Sequence, residues 1–201
     1  MRFATLFATV LLLSSCSDNS TAKKETATTA PEPPPEPATG RHAFQQMYPM
    51  ERTWAIDGAP VQLKSINLSQ VKAEPGKAGA WECTFYSPSL GRSKTYTWSA
   101  VEAEGNLHKG VFAGPDESAR PQKTFSLPAL QVDSDEAYKA AVAKSADYIK
   151  KNPNKPVMFI LEMNDRFPQL TWRVIWGESV SASDYSVFVD AATGQFLRKE
   201  H

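Results

Sequence analysis

Tyr185-Ser186-Val187-Phe188-Val189-Asp190-Ala191-Ala192-Thr193-Gly194-Gln195-Phe196-Leu197-Arg198-Lys199 is the stretch that decides how this chain folds. Tyr185, Val187 and Val189 recur at the two-residue period of a strand that turns one face to a core. Asp190 to Gly194 then spells a turn. An Asp side chain bonds its own backbone readily, and Gly194 takes positive φ without steric cost. Gln195 to Lys199 return as a last strand, so the pattern predicts an antiparallel hairpin.

Upstream, Asp133 or Ser134 is placed to cap a helix with Glu136 in its first turn. Tyr138, Ala141, Val142, Ser145, Tyr148 and Ile149 fall on one face of it, Lys139, Lys144, Asp147 and Lys151 on the other, and Asn152-Pro153 stops it. Pro156 to Leu161 reads as a mostly buried strand, and Trp172, Val174 and Trp176 alternate with Arg173 and Ile175. The order is a helix followed by an antiparallel meander.

The same order is found earlier in the chain, where a weaker helix covers Ala43 to Ala55 with Phe44, Met47, Tyr48 and Trp54, and with Pro49 inside it. Pro60 to Ile66 then stands where Pro156 to Glu162 stands later, and Trp81, Cys83 and Phe85 alternate as Trp172, Val174 and Trp176 do. The expected fold is α+β, with two tandem helix-plus-antiparallel-sheet units, residues 42–130 and 131–201, packed as one region.

Residues 137–201 resemble a PepSY domain, a small helix-and-sheet module of protease propeptides and exported bacterial proteins. The resemblance is carried by the helix, by Trp172-Arg173-Val174 entering a strand, and by the hairpin from Val187 to Leu197. It implies that residues 42–112 are a diverged copy, with Val101 to Leu107 replacing the Asp-bearing turn. It also implies a binding or protease-inhibiting module, not a catalyst.

The N-terminus carries Arg2, then an apolar run from Phe3 to Leu13 broken only by Thr5 and Thr9, then Leu13-Ser14-Ser15-Cys16. Such a run is too short to span a bilayer as a helix and fits the apolar part of an export signal. Leu13 to Cys16 resembles the bacterial lipobox, which implies cleavage after residue 15 and acylation of Cys16. Two or three acyl chains would hold the protein stably on a membrane. By the same resemblance Ser17, in place of Asp, implies the outer membrane. Between Ser17 and Gly40 there is no Val, Ile, Leu, Met or aromatic residue, and Pro31 to Pro37 favours polyproline II. Residues 16–41 are therefore expected to be a disordered tether that gives reach.

With Cys16 acylated, Cys83 has no partner for an intramolecular disulfide. Lys plus Arg and Asp plus Glu number 22 each and are scattered, which gives nucleic acid no basis as a partner. His42, His108 and His201 are far apart in sequence, so no metal site is expected, and no cofactor is expected either. Ser69-Gln70-Val71-Lys72 has the Ser-x-x-Lys spacing but lacks the motifs that accompany it in serine enzymes, and Ser20 to Lys23 repeats it in the tether.

Glu162, Asp165, Asp184 and Asp190 are the carboxylates from which an acid and base pair would have to be drawn. Asp165 and Asp184 are expected in hairpin loops, and Asp190 on its own turn, so no catalytic residue is expected. Trp81, Trp98, Trp172 and Trp176 fall on strands and either fill the core or line a groove. Ser87 to Lys94 and Gly177 to Asp184 are two long loops of the kind that carry binding residues, with Ser89, Leu90, Arg92, Glu178 and Asp184 as candidates. A strand edge open to β-addition is the other candidate surface.

The sequence thus leads to a lipid-anchored envelope protein, facing the periplasm, that binds an envelope partner or inhibits a protease. Its competitors are an envelope hydrolase acting on peptidoglycan and a structural lipoprotein supporting a membrane complex.

Overall fold

The computed structural model describes residues 34–200. The export signal, Cys16 and the tether as far as residue 33 lie outside the described residues. Two short strands, β1 (Ala38–Thr39) and β3 (Lys77–Ala78), pair antiparallel at the entry to the domain. Ala38 and Thr39 belong to the stretch read as tether, yet Ala38 is buried and its carbonyl accepts from Trp81 Nε1 at 2.9 Å.

Helix α1 (Gly40–Trp54) begins where Thr39 Oγ1 accepts from His42 N, and it buries Ala43, Phe44, Met47 and Glu51 at helical spacing. There follow β2 (Ala59–Ile66), β4 (Ala80–Ser87), β5 (Arg92–Ser99) and β6 (Gly110–Ser118). Helix α2 (Ser134–Ala143) starts in a capping box, with Glu136 accepting from the Asp133 backbone N–H at 3.0 Å. The chain finishes with α3 (Ala146–Lys151), β7 (Val157–Glu162), β8 (Thr171–Trp176), β9 (Tyr185–Asp190) and β10 (Phe196–Glu200).

The helix predicted as continuous to Asn152 is interrupted at Lys144–Ser145. Ser145 Oγ donates to the Ala141 carbonyl at 2.7 Å and accepts from Tyr185 Oη at 3.0 Å, a local bonding choice that competes with the helical ladder.

The expectation of two tandem helix-and-sheet units is corrected by the sheet itself. Eight strands form one antiparallel sheet in the order β10-β9-β8-β7-β2-β4-β5-β6, and the few helices are short. β2 and β7, the segments read as counterparts in separate units, lie side by side with Gln62 opposite Glu162, Leu63 opposite Leu161 and Lys64 opposite Ile160. Each strand satisfies the backbone groups that the other would otherwise leave at an open edge, so the ladder runs on without a seam.

The core crosses the same line. Trp81 and Trp172, one from each side, meet edge to face at 6.3 Å between centroids, and both are fully buried. A Cβ on Gly40 would stand 2.7 Å from the Trp172 ring, so α1 can reach these indoles only through a glycine. The boundary at residues 130/131 is no linker: Leu130 is buried, and the Gln131 and Val132 N–H groups donate to the Ala191 carbonyl.

Helices α1 and α2 cover one face of the sheet. On the other face Met158, Ile160 and Ile175 form a second, small buried cluster. Among the described residues no helix is long and apolar enough to cross a membrane.

Candidate functional site

Strand registers place the two candidate loops at opposite ends of the sheet. Ala59, at the start of β2, faces Tyr86 beside the β4–β5 loop, whereas Val157, beside the end of β2, faces Trp176 beside the β8–β9 loop. Ser89, Leu90 and Arg92 therefore share no surface with Glu178 and Asp184.

The β4–β5 loop is tied down by Asp57, whose carboxylate accepts from Ser87 Oγ at 2.6 Å and from Ser89 N at 2.8 Å. These bonds hold the Asp57 carboxyl below its ordinary range. Leu90 is exposed at the tip, and Arg92 donates to the Asp116 carbonyl at 3.0 Å.

The β8–β9 loop builds a concave surface. It leaves β8 at Gly177, where the backbone N–H donates to the Pro156 carbonyl at 2.8 Å and an added Cβ would lie 3.0 Å from Ser183 Cα. Ser179 Oγ meets Ser181 Oγ at 3.1 Å and accepts from Ala182 N at 3.0 Å, bracing the loop internally. Beneath it, on the sheet face away from the helices, lies a cleft of about 870 Å³. Ile66, Met158 and Pro156 give it apolar lining, Val180 faces it from the loop at 44% exposure, and Glu178 and the Lys64–Glu82 pair (2.5 Å) supply charge. That volume falls in the range of ligand-binding clefts. Asn67 and Pro156 also line a second groove of about 470 Å³ on the helix side, walled by Val71, Tyr138 and Phe159.

The four carboxylates singled out in the sequence do not converge. Asp184 accepts from Tyr148 Oη at 2.6 Å and from Lys155 at 2.5 Å, and Lys155 holds its carboxyl below the ordinary range. Asp190 accepts from Ala192 N at 2.7 Å and Thr193 N at 3.1 Å within its own turn. Glu162 and Asp165 do share a shallow pocket with Arg166 and Arg173, but Gln62 donates to Glu162 at 2.6 Å and Lys123 pairs with Asp165.

Trp81, Trp172 and Trp176 are core residues, and Trp98 is half-buried against His42. Cys83 is a free, fully buried thiol, pushed well up by that burial. Among the described residues no three His, Cys, Asp or Glu side chains gather as metal ligands.

Both sheet edges carry features that discourage β-addition. β6 contains Gly114 and Pro115 and pairs with β5 through a bulge, while β10 is short, bears Arg198, Lys199 and Glu200, and is bulged between Phe196 and Arg198.

Sequence reasoning passed over Glu51, a fully buried carboxyl in the α1 face. The signal was available: Glu51 follows Phe44 and Met47 at the spacing of that face.

No family model and no curated protein matches the chain. Its structure is similar to the crystal structure of a candidate lipoprotein from Clostridium difficile 630, with a TM-score of 0.49 and 12% identity over 79% of this chain and 91% of that one.

Proposed function

We propose that this chain is a lipid-anchored protein of the bacterial envelope whose domain binds another envelope protein without chemistry, holding an extended segment of it in the cleft beneath Gly177–Asp184. The observation that carries this reading is the lining of that cleft. Ile66, Pro156 and Met158 give it apolar surface on the sheet face away from the helices, and a braced loop presents exposed Val180 across from them. An apolar floor with charge at its rim suits a protein segment, with specificity set at the rim.

The engagement of Glu162, Asp165, Asp184 and Asp190 with separate partners favours this reading over an envelope hydrolase. Anchoring rests on Leu13 to Cys16 and the preceding apolar run.

The test uses two full-length chains purified in detergent, wild type and Ile66→Glu. Ile66 lines the cleft and is only partly buried, so Ile66→Glu charges the cleft and should remove at least ten-fold of the retention of one specific envelope protein while circular dichroism shows the domain still folded. The N-terminal peptide of the wild type should begin at Cys16 and carry the added mass of two or three acyl chains. Equal retention by wild type and Ile66→Glu sinks the cleft, and an unmodified Cys16 sinks the anchor.

A further inference from the structure

Glu51 lies on the buried face of α1 with no solvent exposure, and neither carboxylate oxygen has a hydrogen-bond partner. A buried polar group without a partner is uncommon and costly, and an ionised one more so. Among the described residues no cation compensates it from the sheet. Cys83 on β4 and Tyr96 on β5 face it, and both are pushed up by burial first and by its charge second. β2 turns Leu63 and Ser65 toward the helix side and brings no ionisable group. On β6, Asp116 is taken by Lys94 at 2.9 Å and Trp54 Nε1 at 3.0 Å. Along the chain, the Arg52 guanidinium, which donates to the Ile56 carbonyl at 2.8 Å, partly offsets the burial by favouring the ionised form, and Asp57 adds a smaller like charge that opposes it.

The segment that Glu51 holds is thin. Pro49 sits inside α1 and has no N–H to give the Gln45 carbonyl, so the helical ladder is one bond short in the turn before Glu51. After it, single backbone bonds of 3.2 Å, Ala55 N to Glu51 O and Gly58 N to Ala55 O, close the turn. The Glu51 carboxyl packs directly on Gly58: a Cβ there would lie 1.9 Å from Oε1. Gly58 follows Asp57, the residue that clamps Ser87 and Ser89 of the β4–β5 loop.

We propose that Glu51 is a proton-operated latch: neutral, it stays packed on Gly58 and keeps the Asp57 clamp closed; ionised, it draws the end of α1 toward water and frees the β4–β5 loop. Ile56, 84% exposed, and Leu90, 49% exposed, flank the clamp, so its opening changes an apolar corner at the end of the domain away from the cleft. Burial raises the Glu51 carboxyl from 4.5 to about 7, so the latch works across the neutral range. The inference stands apart from the binding cleft and does not depend on it.

Hydrogen exchange read by mass spectrometry on the full chain in detergent, corrected for the intrinsic pH dependence of exchange, tests the latch. For a carboxyl that titrates near 7 when closed and near 4.5 when open, protection of residues 50–58 and 87–92 should fall about ten-fold between pH 6 and pH 8. Glu51→Gln should hold that protection flat over the same range. Asp57→Asn should leave residues 87–92 poorly protected at both pH values while residues 50–58 keep their pH dependence. Should Glu51→Gln fail to fold, the carboxyl ¹³C shift of Glu51 in the wild-type chain decides between the outcomes, a midpoint near neutrality supporting the latch and one near 4.5 overturning it. Flat protection in the wild type, or unchanged pH dependence in a folded Glu51→Gln, also overturns it.

Discussion

Glu51 shows how a single residue sets a pH dependence for the fold. A carboxyl that holds its proton to about 7 in the folded chain and only to 4.5 in the unfolded one makes the folded state the tighter proton binder between those values. Stability from this group is therefore full below about pH 4.5, declines as pH rises toward 7 and is level above, a loss of up to about 3 kcal/mol. Asp57, Asp116, Asp165 and Asp184 have lowered carboxyls and act in the opposite sense, but only at more acidic pH, below the ordinary carboxylate range. Urea unfolding at pH 5 and pH 8 should thus show the wild type less stable at pH 8 and Glu51→Gln nearly unchanged. Single residues were most legible in the sequence where they act on their own neighbours. Asp190 bonding its own turn follows from spacing alone, and spacing narrows the α2 cap to Asp133 or Ser134, of which Asp133 takes it. The burial of Glu51 could be read from its spacing to Phe44 and Met47, but its lack of a partner could not, because that depends on what α1 packs against.

Among the elements, the pairing of β2 with β7 holds the sheet together. Leu63 and Leu161 face each other across it with no exposed surface. Leu63→Ala should cost about 2–5 kcal/mol, since it removes buried methyl groups and leaves a cavity at the centre of the sheet. Thermal unfolding followed by near-UV and far-UV circular dichroism should show one coincident transition at a lower temperature, because the core and the ladder both cross this pair. The strands were legible as strands: Trp81, Cys83 and Phe85 on β4 and Trp172, Val174 and Trp176 on β8 are buried as their alternation requires. Their assembly into one sheet was not. Strand neighbours are chosen by backbone hydrogen bonds common to every residue, so two similar segments read equally well as counterparts in two sheets or as partners in one. The break between α2 and α3 was hidden for a related reason, since Ser145 departs from the helix through Tyr185, a partner 40 residues away.

For the whole molecule, an anchored N-terminus would carry a domain whose helices cover one sheet face and whose other face bears a roofed cleft. The anchor signal lies outside the described residues. The β8–β9 loop was legible as a loop, but the segment from Ser87 to Lys94 is only a short turn at residues 88–91, with Ser87 closing β4 and Arg92 to Lys94 opening β5, so Arg92 is a strand residue. The separation of the two segments to opposite ends was not legible, because it follows from the antiparallel register of β2 between β4 and β7. Binding in the cleft is tested by photo-crosslinking in living cells, with a benzophenone amino acid placed at Val180 in one full-length chain and at Leu90 in another. A cleft that holds a partner segment should yield a discrete adduct with one envelope protein from position 180, lost when Ile66→Glu is added to the same cleft. An adduct from position 90 alone, or one from position 180 that survives Ile66→Glu, would contradict a binding site in the cleft.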